Sequence, residues 1–142
     1  YQEIIMEHSR TPRNFNEIVG YNRTANGFNP FCGDDITLHL KVDDGVVVDV
    51  GFRGSGCAIS RASASMMTES IKGKSSEQAE RIFDAFHEML TDGSVGGCNA
   101  DELGDLEALS GVSEFPTRVK CATLSWHTLK AALNGKESVS TE

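Results

Sequence analysis

The sequence predicts an α+β domain built on a small antiparallel sheet of about three strands with helices packed on one side. Three observations lead there. The stretch ITLHLKV (36–42) alternates apolar and polar residues with a period of two. DDG (43–45) follows it as a tight turn into VVVDVGFRG. From residue 58 onward the apolar residues recur at helical spacing instead. Strands first and helices afterwards describe an antiparallel sheet with segregated helices.

Taken in order, Tyr1, Ile4, Ile5 and His8 recur at helical spacing and Pro12 stops the pattern, which makes the first element a short amphipathic helix. Between Asn14 and Cys32, Asn, Gly and Pro are dense enough to indicate loop, with one edge strand near Tyr21 to Ala25. The hairpin places Ile36, Leu38, Leu40 and Val42 on one face. A helix is expected from Ala58 until Gly73 ends it, with Cys57 at its N-terminus. Ser75 and Gln78 form a capping box for the next helix, whose stripe Ala79, Ile82, Phe83, Phe86 and Leu90 belongs to the core. TDGSVGGCNADELGD reads as loop and LGDLEALSGV holds another short helix. Pro116 opens a final helix carrying Val119, Leu124, Leu129 and Leu133, which runs to Gly135. Residues 1–142 are expected to form one domain with a tail disordered after about residue 135.

A chain of 142 residues with 39% hydrophobic content can bury one sizeable core. The formal net charge of −8 argues against a nucleic-acid partner, since nothing in the sequence resembles the basic stripe that phosphate neutralisation requires. No apolar run approaches the roughly 20 residues that cross a bilayer, and the first helix is acidic where a signal peptide would be basic and then apolar. A cytoplasmic protein is expected. The first residue is Tyr1 and not Met, which suggests that a short leader is missing. In a reducing compartment, four cysteines read as thiols, metal ligands or catalysts before they read as disulfides.

Three of those cysteines share a setting. Cys32 precedes a strand, Cys57 lies in a Gly-flanked turn, and Cys121 lies one turn into a helix. Cys98, in a Gly-rich loop with no partner motif, reads as an exposed unpaired thiol. The spacings, 25 residues from Cys32 to Cys57 and 64 from Cys57 to Cys121, match no zinc ribbon or finger, so the fold would have to assemble any site. Gly33, Gly54 and Gly56 permit close backbone approach at one edge of the domain. Asp34 is eligible as a fourth ligand, because zinc takes sulfur at about 2.3 Å and carboxylate oxygen at about 2.0–2.2 Å. Three thiolates and a carboxylate around Zn²⁺ carry excess negative charge, which Arg118 and Lys120 could offset. A metal site with such a mixed set would be open to exchange. On spacing alone the rival reading stands beside it: three ordinary buried thiols next to a solvated Asp34.

The stretches YQEIIMEHSRTPRN, NPFCGDD, GSGCAISRASASMM and RVKCATLSWHTL together resemble the U-type iron-sulfur assembly protein family, over nearly the whole chain. The resemblance implies an antiparallel sheet with packed helices and a metal-binding edge, with ligands at Cys32, Asp34, Cys57 and Cys121. The scaffold branch of the family, IscU, carries a His directly before its last cysteine, where this chain has Lys120. That residue, and the extra segment containing LGDLEALSGVSEFP, are similar to the SufU branch. The SufU resemblance implies zinc, persulfide sulfur taken from a cysteine desulfurase (SufS-like), Cys32 as sulfur acceptor, Arg118 as the residue that stabilises its thiolate, and delivery to the iron-sulfur assembly machinery. The scaffold branch implies a transient [2Fe-2S] cluster and sulfur on Cys121 instead. A third function, a non-catalytic adaptor whose zinc only holds the fold, is open beside these.

Coordination to zinc keeps a thiol deprotonated at neutral pH while lowering its reactivity, so an acceptor thiolate must leave the metal before it attacks. A substitute ligand from a partner would free Cys32 in that way. The histidines are assigned no ligand role. His39 shares the parity of Thr37 and Lys41 and is expected to be solvated; His127, six residues beyond Cys121, lies about 240° around the helix from it. His8 and His87 fall on expected helix surfaces or boundaries, and Met66 and Met67 fill core or interface gaps.

Overall fold

The computed structural model describes residues 2–30, 33–92, 104–135 and 138–140. The expected α+β order is present. Helix α1 (Gln2–Arg10) precedes strands β1 (Arg23–Asn29), β2 (Asp34–Asp43) and β3 (Val46–Ser55). Helices α2 (Ala58–Ile71) and α3 (Ser76–Asp92), a 3₁₀ helix (Gly104–Glu114) and helix α4 (Pro116–Leu133) follow. The three long strands pair antiparallel, and a short strand β4 (Ser138–Ser140) adds in parallel to β1, giving the order β3-β2-β1-β4.

Local chemistry explains most boundaries. Asp44 and Gly45 take φ of 52° and 77°, the left-handed pair that a two-residue hairpin turn requires between β2 and β3. The Ser75 N–H donates to Gln78 Oε1 at 3.0 Å and the Gln78 N–H donates to Ser75 Oγ at 3.1 Å, the reciprocal bonds of a capping box. Pro116 opens α4 at no cost, since its missing N–H would have had no helical partner there.

One face of the sheet carries Ile36, Leu38, Leu40, Val50 and Phe52, all buried. Helix α2 is buried nearly all round, and its run of Ala and Ser lets neighbours approach closely; Ser63 Oγ donates to the Ala122 carbonyl and so ties α2 to α4. Trp126 of α4 is fully buried against Phe86 and Phe83 of α3, with ring centroids 5.1 and 6.2 Å away, pairs that each add about 0.5–1.5 kcal/mol beyond their area.

Four expectations are corrected. The first strand is not an edge near Tyr21 to Ala25: it spans Arg23–Asn29 and lies between β2 and β4. Its inward residues are Ala25, Gly27 and Asn29, small or polar because α4 presses on them; a Cβ on Gly27 would lie 2.0 Å from Thr128 Oγ1. Residues 138–140, in the tail expected to be disordered, form β4. His39 is buried and not solvated, because the Tyr21 ring covers it at a centroid distance of 4.4 Å. His8 is buried as well: its Nδ1 lies 2.7 Å from Ser65 Oγ and its Nε2 lies 3.6 Å from Glu69 Oε1, an anchorage of α1 on α2. Of the loop expected over 91–105, residues 93–103, Cys98 among them, lie outside the described residues; Thr91 and Asp92 end α3 and Gly104 and Asp105 begin the 3₁₀ helix.

Candidate metal centre

The ends of β1, β2 and β3 meet the first turns of α2 and α4 at one edge of the molecule. Asp34 begins β2, Cys57 caps α2 one residue past Gly56, and Cys121 lies in the second turn of α4. One ligand atom from each of these three lies within 4.8 Å of the others. Cys32, the fourth expected ligand and the expected sulfur acceptor, lies outside the described residues. Gly33 beside it has φ 73°, and its N–H donates to the Asn29 carbonyl at 2.8 Å, so the end of β1 is tied to the start of β2.

Each of the three side chains is held by its own element. Asp34 is 0% exposed, which rules out the solvated carboxylate of the rival reading. Its Oδ1 accepts from the Cys57 N–H at 2.8 Å, and its Oδ2 lies 3.9 Å from Cys57 Sγ. The room for it comes from Gly56, where a Cβ would lie 2.7 Å from Oδ1. Cys57 is exposed, and as the N-cap of α2 its sulfur accepts from the Ser60 N–H at 3.4 Å, which fixes the side chain at the start of the helix. Cys121 is buried; its sulfur accepts from Asn29 Nδ2 at 3.7 Å and lies 3.7 Å from the Thr117 carbonyl.

This donor set fits zinc. A tetrahedral ion with ordinary bond lengths separates sulfur from carboxylate oxygen by about 3.6 Å, a few tenths of an ångström from the observed Cys57 to Asp34 separation. A buried carboxylate between two thiols also gains from a cation, since burial without one leaves its charge poorly compensated. Of the two cations expected to offset the charge, Arg118 is exposed three residues before Cys121, with its guanidinium carbon 5.1 Å from the centroid of the Phe115 ring. Lys120 is half-buried. Cys57 and Cys121 were legible as candidates from residue type and context. Asn29 was not: a buried Asn beside a proline carries no signal until the fold brings Cys121 to it.

His127 and His87 form a separate pair, ring centroids 6.0 Å apart, with Phe83 packed on both. Burial, with smaller contributions from His87 and Lys130, holds the His127 imidazole below its ordinary value.

Comparison with known proteins decides the family. Residues 1–134 match the model of the NifU-like N terminal domain. The chain belongs to that family. Its members among the relatives include the zinc-dependent sulfurtransferase SufU of Bacillus subtilis (strain 168), 44% identical over 137 residues that span 96% of this chain and 91% of that protein. They also include the iron-sulfur cluster assembly scaffold protein IscU of Streptococcus pyogenes, 41% identical over 133 residues, 94% of this chain and 82% of that one. A crystal structure of a candidate iron-sulfur cluster assembly scaffold protein for the SUF system, from Fervidobacterium islandicum AW-1, superimposes with a TM-score of 0.86 at 35% identity, covering 94% of this chain and 96% of its own. The NifU-like fold therefore carries the cluster of Asp34, Cys57 and Cys121 at its edge.

Proposed function

We propose that this NifU-like protein is a zinc-binding sulfur acceptor that takes persulfide sulfur from a cysteine desulfurase for iron-sulfur cluster assembly, with Cys32, Asp34, Cys57 and Cys121 as the metal ligands. The observation that carries the reading is the buried Asp34 carboxylate held between two thiols, a hard ligand in a thiolate site. The 44% identity to a zinc-dependent sulfurtransferase supports it, and so does Lys120 standing where the scaffold branch carries a His. Bound zinc would supply thiolates at neutral pH.

The transfer itself needs no oxidant. The Cys32 thiolate attacks the terminal sulfur of the partner's persulfide; a new S–S bond forms on Cys32, the S–S bond on the partner breaks, and the electron pair leaves with the partner's cysteine as a thiolate. Arg118, in the first turn of α4 three residues before Cys121, offers a charge and hydrogen-bond donors to the anionic sulfur. Asp34 and Cys57 stay bonded through the Cys57 N–H, which keeps the rest of the site assembled during the reaction.

Mixing the zinc-loaded protein with a cysteine desulfurase and cysteine, blocking thiols, and locating the added sulfur by peptide mass spectrometry tests the reading. Sulfur on Cys32 and faster desulfurase turnover support it; no added sulfur and no acceleration would leave the adaptor role. The scaffold reading is favoured by the relatives that bear the scaffold name. It predicts a coloured protein purified without oxygen, whereas the sulfur acceptor is colourless with about one zinc per chain.

A further inference from the structure

Cys57 and Cys121 are both thiols of one site, yet their surroundings differ. Cys57 is exposed and bonded only within its own helix cap and to Asp34 among the contacts described above. The sulfur of Cys121 is buried between two elements far apart in sequence, for Asn29 at the end of β1 donates its side-chain amide to it at 3.7 Å. Asn29 is itself 0% exposed, so that amide is aimed into the site with no competition from bulk water. Its backbone is pinned twice over. The residue pairs with Asp34 in the β1–β2 register, and its carbonyl accepts from the Gly33 N–H. A single side chain therefore links the strand partner of the carboxylate ligand to the thiol on α4.

We propose that Asn29 is a positioning residue that holds Cys121 as a ligand and keeps it from competing as a sulfur acceptor. An amide N–H directed at a thiolate stabilises the charge and withdraws it from nucleophilic attack. An apolar side chain in the same place removes that donor, so the thiolate holds more of its charge on sulfur and is more reactive towards a persulfide. The reaction at Cys121 would then be the one written above with a different attacking sulfur: the same bond breaks on the partner and the same thiolate leaves. Asn29 thus acts on which cysteine is labelled, a property that packing alone does not set. This inference rests on the sulfur-acceptor reading.

The experiment compares wild-type protein with Asn29→Leu, which removes the donor at similar volume, and Asn29→Asp, which replaces the donor with a negative acceptor at equal size. Each is treated with a cysteine desulfurase and cysteine, and the ratio of sulfur on Cys32 to sulfur on Cys121 is read by peptide mass spectrometry. The expected result is a fall of about tenfold in that ratio in Asn29→Leu, the size of one hydrogen bond to a charged group. Asn29→Asp should fall further. An unchanged ratio in a folded variant overturns the inference while leaving the sulfur-acceptor reading intact. Sulfur chiefly on Cys121 in the wild type overturns that reading itself. If neither variant folds, the wild-type protein loaded with an NMR-active cadmium isotope decides: a coupling between cadmium and the Asn29 side-chain amide protons, transmitted through the hydrogen bond to Cys121, is expected, and its absence overturns the inference.

Discussion

Replacing Gly56 with Ala tests the geometry of the site without touching a ligand. The backbone at Gly56 is not among the positive-φ glycines, so alanine is conformationally allowed and any effect must come from the new methyl group. That methyl would lie 2.7 Å from Asp34 Oδ1, 3.2 Å from its Cγ and 3.3 Å from its Cβ. The carboxylate has to retreat by about 0.7 Å to reach ordinary contact, and it is fully buried with little space to retreat into. The bond to lose is the one from the Cys57 N–H at 2.8 Å, worth about 1.5–3 kcal/mol because its acceptor is charged. For a chain of this size about 2 kcal/mol corresponds to a fall of roughly 6 °C in melting temperature. Zinc affinity should fall by at least about tenfold, the usual consequence of disturbing the support of a ligand. Calorimetry of the metal-free protein and chelator competition on the loaded one measure the two effects. Gly111→Ala, where a Cβ would meet nothing within 4 Å, is the control: it should leave zinc affinity unchanged and should not lower the melting temperature. Unchanged melting and unchanged affinity in Gly56→Ala would show that Asp34 is not held where the structure places it.

Three further outcomes are expected. Cys57→Ser and Cys121→Ser should each lose most bound zinc and, with it, the stability that metal binding adds to folding, while Cys98→Ser keeps both; metal analysis and thermal melts check this, and full zinc retention in either of the first two contradicts it. His8→Ala should destabilise the fold by about 2–3 kcal/mol in urea, through lost packing and a lost bond to Ser65, with zinc affinity unchanged; a loss below the error of the titration would show that α1 is not anchored by this residue. His127 has a folded-state pKa below its ordinary 6.5, so the unfolded chain takes up the proton first. Its contribution to stability is complete above that value and is lost as pH falls through the lowered folded value. His127→Gln should therefore show a smaller loss of melting temperature than wild type between about pH 7.5 and 5.5, and parallel curves would contradict the assignment.

The elements that the sequence displayed are those whose signals are local. The hairpin was legible from the alternation of 36–42 and the Asp-Gly turn, and the caps of α2 and α3 from Cys57, Ser75 and Gln78, because a turn or a cap depends on residues three or four positions apart. Strand β1 was misplaced for the opposite reason. Its inward residues are Ala25, Gly27 and Asn29, chosen by the closeness of α4, and they give no hydrophobic period. Strand parity at His39 correctly opposed it to Leu38 and Leu40, but parity does not reveal that Tyr21 from the preceding loop lies over it. His8 fails in the same way, since its partners Ser65 and Glu69 are 57 and 61 positions away. At the site, residue type pointed to Asp34, Cys57 and Cys121, and the family resemblance ordered them; the contacts of Gly56 and Asn29 needed three dimensions.

The central claim is that a mixed thiolate and carboxylate site at the edge of this NifU-like fold binds zinc. X-ray absorption at the zinc edge of protein purified without added metal tests it most directly. The account predicts about one zinc per chain in a four-coordinate shell of three sulfur atoms at about 2.3 Å and one oxygen at about 2.0–2.2 Å, with the oxygen lost or replaced in Asp34→Ala. A protein that carries no zinc, or zinc whose shell contains no sulfur, would contradict it.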